Sequence, residues 1–400
     1  MNLELLNFIN PWWIKDDWED KDKQLKDWNS QKIRWIPKWI DRLSLEPFSL
    51  NFVLGPRQVG KTTGIKLLIK RLIDQGLEPE RIMYLNCDSV PDFTSLRRII
   101  ENYISNFKVN KPFIFLDEVT TVDKWWKAVK FLIDSGVLSD SVVIVTGSSS
   151  LKIKKDMELF PGRMGKGSIV EVLPLNFKDY IEIHGIKNHK LAYDKVLELF
   201  EKYKKTGGFP LTINDGCPVD ILNSILAEIV RFGKSLELAK ETLSSLISKI
   251  PSAMSFRAIA SETSGYSYKT IQEYLEFFGD LYVIGFAYLK QNNKILYRRE
   301  RKIFFRDPLL LDLFSKWTNT KFLESALYEN IVQEHLYRKY GEIYYYRNKY
   351  EIDCISGPLK VEVKAGKPHR KYPKDVIVLG EEDIPRFLIE MFGESSSSIF

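Results

Sequence analysis

Eight consecutive residues, Gly55-Pro56-Arg57-Gln58-Val59-Gly60-Lys61-Thr62, carry the pattern GxxxxGK[ST] between an apolar run ending at Leu54 and a helical stretch. In that context the pattern reads as a phosphate loop, whose glycines let backbone N–H groups turn inward around phosphate oxygens at the positive end of the next helix. Such a loop, with Thr63 beside it, binds ATP: Lys61 reaches the β- and γ-phosphates and the Thr62 hydroxyl ligates Mg2+. Further on, the strand-like Phe113-Ile114-Phe115-Leu116 ends in Asp117 and Glu118. Asp117 would hold the magnesium through water, and Glu118 would orient or deprotonate the attacking water. Adjacent acids at a strand end also describe a solvated turn; the upstream phosphate loop is what favours the catalytic reading.

Three other segments could take part. Val142 to Val145 runs into Thr146-Gly147-Ser148-Ser149-Ser150, which places hydroxyls at the carboxyl edge of a strand, where ligands of α/β sheets sit. Either Ser148 or Ser149 senses the γ-phosphate, or the loop is merely polar. Arg163, in Pro161-Gly162-Arg163, either serves as an arginine finger on a neighbouring subunit or is an exposed arginine without a catalytic role. Lys152, Lys154 and Lys155 form a basic run, which is ordinarily a solvated face.

Near the carboxyl terminus, Glu351-Ile352-Asp353-Cys354-Ile355 and Leu359-Lys360-Val361-Glu362-Val363-Lys364 flank Ser356-Gly357-Pro358. If Gly357 and Pro358 form a two-residue hairpin loop, Asp353 faces Glu362, and Lys364, two residues on, shares that face. Two carboxylates and a lysine suit metal-assisted phosphodiester cleavage, the acids holding magnesium and the lysine placing water or offsetting phosphate charge. The same residues on a short hairpin also make an ordinary surface ion network.

The elements that must position these groups follow from patterning. The first 46 residues set Trp12, Trp13, Trp18, Trp28, Trp35 and Trp39 among charges, which reads as short helices packed on a neighbour. From 47 to about 180, apolar runs at Ser49 to Leu54, Arg81 to Leu85, Pro112 to Leu116, Ser141 to Thr146 and Ser168 to Val172 alternate with helical stretches. That alternation predicts a three-layer α/β domain with a buried parallel sheet. Between Ser255 and Phe278 lie two short amphipathic helices capped by Ser255 and Ser267, followed by strand-like runs Leu281 to Lys290 and Lys294 to Phe305, the order of a winged helix. A helix over Leu323 to Tyr340 and strands at 342–347, 350–355, 359–364 and 375–379 complete the chain. The expected domains are 1–46, 47–215, 216–310 and 311–400.

The 400 residues, 44% hydrophobic and 28% charged, describe a globular chain rather than a disordered one. No run approaches about 20 apolar residues, the length of a membrane helix. The amino-terminal stretch lacks the basic start and apolar run of a signal peptide. Cys87, Cys217 and Cys354 stand apart with no CxxC pair, which fits a reducing cytoplasm and offers no zinc site. A net charge of +6 permits contact with nucleic acid without requiring it. Cations at Arg298, Arg299, Arg301 and Lys302, with Tyr268, Lys269, Gln272 and Glu273 on the second helix, could meet DNA phosphates and a groove; alternatively the module packs as a lid or mediates assembly.

The series GPRQVGKTT, FIFLDEV, VIVTGSSS, GR, LPLNF and GGFP, in that order over Phe52 to Pro210, resembles the archaeal branch of AAA+-like P-loop ATPases of the ASCE type. The resemblance implies ATP and Mg2+ as cofactors and the roles above for Lys61, Thr62, Asp117, Glu118, Ser148 or Ser149 and Arg163; rings are usual among such ATPases, so a homo-oligomer is possible, while the number of subunits stays open. It also implies a carboxyl half made of a winged helix and a small α/β domain similar to PD-(D/E)xK restriction endonucleases. Asp353, Glu362 and Lys364 match that D…ExK motif, and Glu329 matches its additional acid on the preceding helix. The chain then reads as an ATPase coupled to DNA binding and metal-dependent cleavage, or as an ATP-driven switch whose carboxyl half binds DNA or protein without cutting. A scaffold that turns over no ATP is the third reading.

Overall fold

A computed structural model describes residues 3–15, 17–148, 156, 158–292, 294–348, 350–364 and 371–393. The chain divides into two compact units, Met1–Leu173 and Pro174–Phe400.

The first unit is built on a five-stranded sheet of β1 (Ser49–Leu54), β2 (Ile82–Asn86), β3 (Phe113–Asp117), β4 (Val142–Gly147) and β5 (Ile169–Glu171), in the order β2-β3-β4-β1-β5 and parallel throughout. All residues of β1, β3 and β4 are buried, as a parallel sheet covered on both faces requires. Strand bounds fall within a residue or two of those expected from the apolar runs; β2 starts at Ile82 because Pro79–Arg81 forms a tight 3-10 turn. The phosphate-loop strand β1 and the acidic strand β3 are not neighbours, since β4 lies between them.

The tryptophan-rich extension belongs to this unit. Its helix Leu3–Ile9 and the 3-10 turn Pro11–Trp13 cover the outer side of β2, the strand at one end of the sheet, while helix Lys23–Ser30 and the 3-10 turn Lys38–Arg42 pack on helix Lys61–Asp74. The Trp12 and Trp13 indole N–H groups donate to the Ile82 carbonyl at 3.0 and 2.8 Å, and Asn10 accepts from the Tyr84 N–H and donates back to its carbonyl. An open edge strand would leave such groups to water or to another chain, so the extension seals the edge. It also lies on the helix after the phosphate loop: a Cβ at Gly64 would come within 2.2 Å of the Trp39 ring, so only glycine fits there.

The second unit combines ten helices among its described residues with a seven-stranded mixed sheet. Its strands are β6 (Ile284–Gln291), β7 (Lys294–Ile295), β8 (Arg301–Phe305), β9 (Tyr344–Arg347), β10 (Glu351–Ser356), β11 (Leu359–Lys364) and β12 (Ile377–Gly380). The order is β12-β11-β10-β9-β6-β7, with β8 paired to β6. Helices Phe256–Ala260 and Tyr268–Asp280 start at Ser255 and Ser267, whose hydroxyls accept from the Ala258 and Thr270 N–H groups. The second run of the hairpin is not continuous, however. Exposed Tyr297-Arg298-Arg299-Glu300 leaves the ladder between β7 and β8, because charged side chains there turn to water. A further pairing unites the two ends of the unit: β6 runs parallel to β9, with Tyr288 opposite Tyr344 and Leu289 opposite Tyr345.

Among the described residues, no helix is long and apolar enough to cross a membrane.

Candidate functional site

The phosphate loop leaves the carboxyl end of β1 and enters helix Lys61–Asp74. Gln58 and Gly60 take left-handed backbone angles, φ 63° and 85°. Glycine adopts that conformation freely, whereas at Gln58 it stores strain of the kind found at ligand clamps. Lys61 is buried, and its ammonium donates to the Gly55 and Pro56 carbonyls at 2.9 and 2.8 Å, with Glu118 3.7 Å away. Burial lowers its pKa from the ordinary lysine value, an effect that Glu118 and Asp117 partly offset.

Asp117, at the end of β3, is buried and receives three hydroxyls. Oδ2 accepts from Thr62 at 2.7 Å and from Tyr84 at 2.9 Å, while Oδ1 accepts from Thr146. Thr146 sits at the end of β4, the strand interposed between phosphate loop and acids. Its oxygen also accepts the Glu118 N–H at 2.8 Å, so one threonine sets both acids. Glu118 itself is left-handed, φ 52°, which turns its carboxylate toward Lys61. Among the described residues, Glu118 Oε2 and Ser148 Oγ are buried with no hydrogen-bond partner in the chain. Buried polar atoms are rarely left so unless a ligand or water completes them. The donor set therefore fits a magnesium-bound nucleoside triphosphate: cation ligands at Thr62 and Asp117, an ammonium at Lys61, and an unsatisfied carboxylate oxygen and hydroxyl.

The structure thus brings together Lys61, Thr62, Asp117, Glu118 and Ser148. Ser149, Lys152, Lys154 and Lys155 lie outside the described residues. Arg163 does not join its own chain's phosphate loop; its guanidinium pairs with Asp134 at 2.7 Å on the surface. Sequence reasoning passed over Tyr84 and, having set Thr146 among the hydroxyls at the strand's carboxyl edge, gave it no role of its own. The available signals were a lone phenol in the apolar strand IMYL and a threonine at the head of the TGSSS segment. Behind Tyr84, the Lys66 ammonium lies 3.7 Å from its ring centre and 3.0 Å from Asp22 of the amino-terminal extension.

In the second unit the hairpin has the expected register, Cys354 opposite Val361 and Ser356 opposite Leu359. Asp353 and Glu362 are buried side by side, the Asp353 N–H donating to Glu362 Oε2 at 3.1 Å, and Lys364 pairs with Glu362. Glu329 joins them from helix Glu324–Tyr340. What sequence reasoning placed on the surface is Lys302. It is 2% exposed, and its ammonium lies 2.7 Å from Asp353 Oδ1, 2.8 Å from Glu329 Oε1 and 2.9 Å from Glu351 Oε1. These contacts push the Lys302 pKa well above the lysine range in spite of burial; burial and the neighbouring Asp353 push Glu329 up to about 8. An ammonium stands between these acids, and among the described residues no group of three or more His, Cys, Asp or Glu is set to hold a metal.

The hairpin cations are corrected likewise. Arg298 and Arg299 are exposed, but the Arg301 guanidinium stacks 4.0 Å from the Phe256 ring centre, and Lys302 faces inward because β8 pairs with β6. Of the helix residues, Lys269 and Glu273 are exposed and Tyr268 is 38% exposed, whereas Gln272 is half-buried.

Two relatives have no assigned role. An uncharacterized protein of Methanocaldococcus jannaschii is 25% identical over 358 residues, covering 82% of this chain and 76% of that one. An uncharacterized protein of Haemophilus influenzae is 26% identical over 274 residues, 61% of this chain and 66% of that one. The solved ORC2 protein of Aeropyrum pernix overlays 68% of this chain and 88% of its own at 11% identity and a TM-score of 0.40. Residues 48–181, the segment that holds the phosphate loop, the acid pair, Thr146 and Ser148, match the family model of the AAA domain.

Proposed function

We propose that the protein is an ATP-hydrolysing switch whose second unit contacts nucleic acid. The observation that carries the nucleotide half is the shared Asp117 oxygen, which Thr62 and Tyr84 both address, next to a Glu118 oxygen that has no partner of its own. On binding, Lys61 would exchange the Gly55 and Pro56 carbonyls for phosphate oxygens, and Thr62 and Asp117 would hold Mg2+, which supplies charge neutralisation between the phosphates. Glu118 accepts a proton from, or orients, the attacking water, and Ser148 offers its hydroxyl to the γ-phosphate. A neighbouring copy of the chain could supply Arg163 once its pairing with Asp134 is broken.

Support for the nucleic-acid half is the exposed set of Lys269, Arg298 and Arg299 with Tyr268 and Tyr297 beside them, cations and aromatic faces suited to phosphates and bases. Cleavage by Asp353, Glu362, Lys364 and Glu329 is the second reading, and the buried Lys302 ammonium weighs against it. The test is phosphate release from ATP by wild type and Glu118→Gln, each with and without duplex DNA. Turnover stimulated by DNA and abolished by Glu118→Gln supports the switch; turnover unchanged in Glu118→Gln would falsify the nucleotide half, and nicked DNA would restore the nuclease reading.

A further inference from the structure

The centre beneath β8 has a cation of its own. An ammonium carries three N–H donors, and that of Lys302 has three carboxylates around it, from Asp353, Glu329 and Glu351. Several acceptors of the cluster hold further partners. Glu329 Oε1 also accepts from Gln333 at 2.9 Å, and Asp353 Oδ2 accepts the Val363 N–H at 3.0 Å. Glu362 takes the Asp353 N–H on Oε2 and the Tyr372 hydroxyl, at 2.8 Å, on Oε1. Nor is Lys302 a surface side chain that has folded inward: its backbone is fixed in β8 opposite Ala287, and Ile303 and Phe304 beyond it are buried. The ammonium therefore ties three separate elements, β8, helix Glu324–Tyr340 and β10, through charge-assisted bonds in a site shielded from water.

We infer that Lys302 is the resident cation of this centre, standing where a divalent ion would otherwise bind, so that the second unit works without a metal. A divalent ion entering beside the ammonium would meet like charge at close range and acceptors already engaged. With Lys302 truncated, Asp353 Oδ1, Glu329 Oε1 and Glu351 Oε1 lose their shared ammonium and converge as carboxylate oxygens, the donor type that Mg2+ and Mn2+ take. The reading concerns the second unit alone and is independent of what the phosphate loop does.

Mn2+ titration of the full chain without nucleotide, followed by the electron paramagnetic resonance signal of the free ion, tests it. Wild type and Asp353→Asn should bind the same amount of Mn2+, since none belongs to this centre. Lys302→Ala should take up about one further equivalent, lost again when Asp353→Asn is added, and Mn2+ should raise its melting temperature. Should Lys302→Ala not fold, Lys302→Ala with Glu351→Gln keeps the formal charge of the native cluster and should gain the same equivalent. Mn2+ bound by wild type and lost in Asp353→Asn overturns the inference. So does a folded Lys302 variant, single or double, that gains no Mn2+. If neither variant folds, the comparison of wild type with Asp353→Asn decides alone.

Discussion

The Tyr84 hydroxyl donates to Asp117 Oδ2 at 2.9 Å, the oxygen that also accepts from Thr62. Tyr84 thereby fixes the rotation of a carboxylate that the proposed mechanism needs at the magnesium ion. Tyr84→Phe removes only that hydroxyl and leaves the ring on which Lys66 rests. A hydrogen bond to a charged acceptor is worth about 1.5–3 kcal/mol, so kcat for ATP hydrolysis should fall by roughly ten-fold or more while KM for ATP changes little. Steady-state kinetics check this; a rise in KM at constant kcat would show that Tyr84 only shapes the binding pocket.

Asp22 and Lys66 form a buried pair at 3.0 Å, and Asp22 also caps helix Lys23–Ser30 by accepting the Gln24 and Leu25 N–H groups. Asp22→Ala strands the ammonium and removes the cap. The expected loss is about 3–5 kcal/mol. Adding Lys66→Met should recover part of it, since the stranded charge is then gone. Denaturant unfolding of the three variants measures both steps, and equal stability for the single and double variants would deny that the buried charge is the cause.

His335 is buried and neutral: Nε2 accepts the Phe177 N–H at 2.9 Å, and Nδ1 lies 2.7 Å from the Ile331 carbonyl, to which it donates. Burial, with Arg338 nearby, lowers its pKa from 6.5 to about 3. The unfolded chain therefore takes up a proton near pH 6.5 that the folded chain refuses. The stability this residue contributes is complete above 6.5 and is lost as pH falls toward 3, at about 1.4 kcal/mol per pH unit. Asp307, whose carboxyl burial pushes up to about 7, acts in the opposite sense, losing its contribution as pH rises from 3.8. Only a comparison isolates the histidine. Between pH 7 and 4 wild type should lose more stability than His335→Gln, as read by thermal melts; parallel curves would rule the assignment out.

Arg298 and Arg299 differ from Arg301 in what they touch. Replacing both exposed arginines with alanine should weaken duplex DNA binding and lower the salt dependence by about two phosphate contacts. Arg301→Ala should leave that slope alone and lower the melting temperature, because its guanidinium packs on Phe256. Fluorescence anisotropy across a salt series separates the two, and an unchanged slope in the double variant would remove the DNA surface from this hairpin.

Local rules made much of this legible. Gly60, Lys61 and Thr62 could be placed because the loop's spacing reflects phosphate geometry, and the Gly357-Pro358 turn set the hairpin register because a two-residue loop admits only one pairing. Tyr84, Thr146 and Lys302 were not legible, for a common reason. Each acts across a gap of many residues, Lys302 on Asp353 for example, and nothing in the few residues around it records which distant group it will meet. Lys302 also stood in a run of cations, where patterning points to solvent, until the pairing of β8 with β6 turned it inward.

That β6 pairs with β8 on one side and β9 on the other has a meaning for inheritance. A gene fragment that passed on residues 216–310 alone would deliver a sheet with an unpaired edge at β6, and one carrying only 311–400 would leave Glu329 and Asp353 without Lys302. The two halves of this unit can be exchanged between proteins only together, so recombination should find its tolerated crossover points outside Ile284–Lys364.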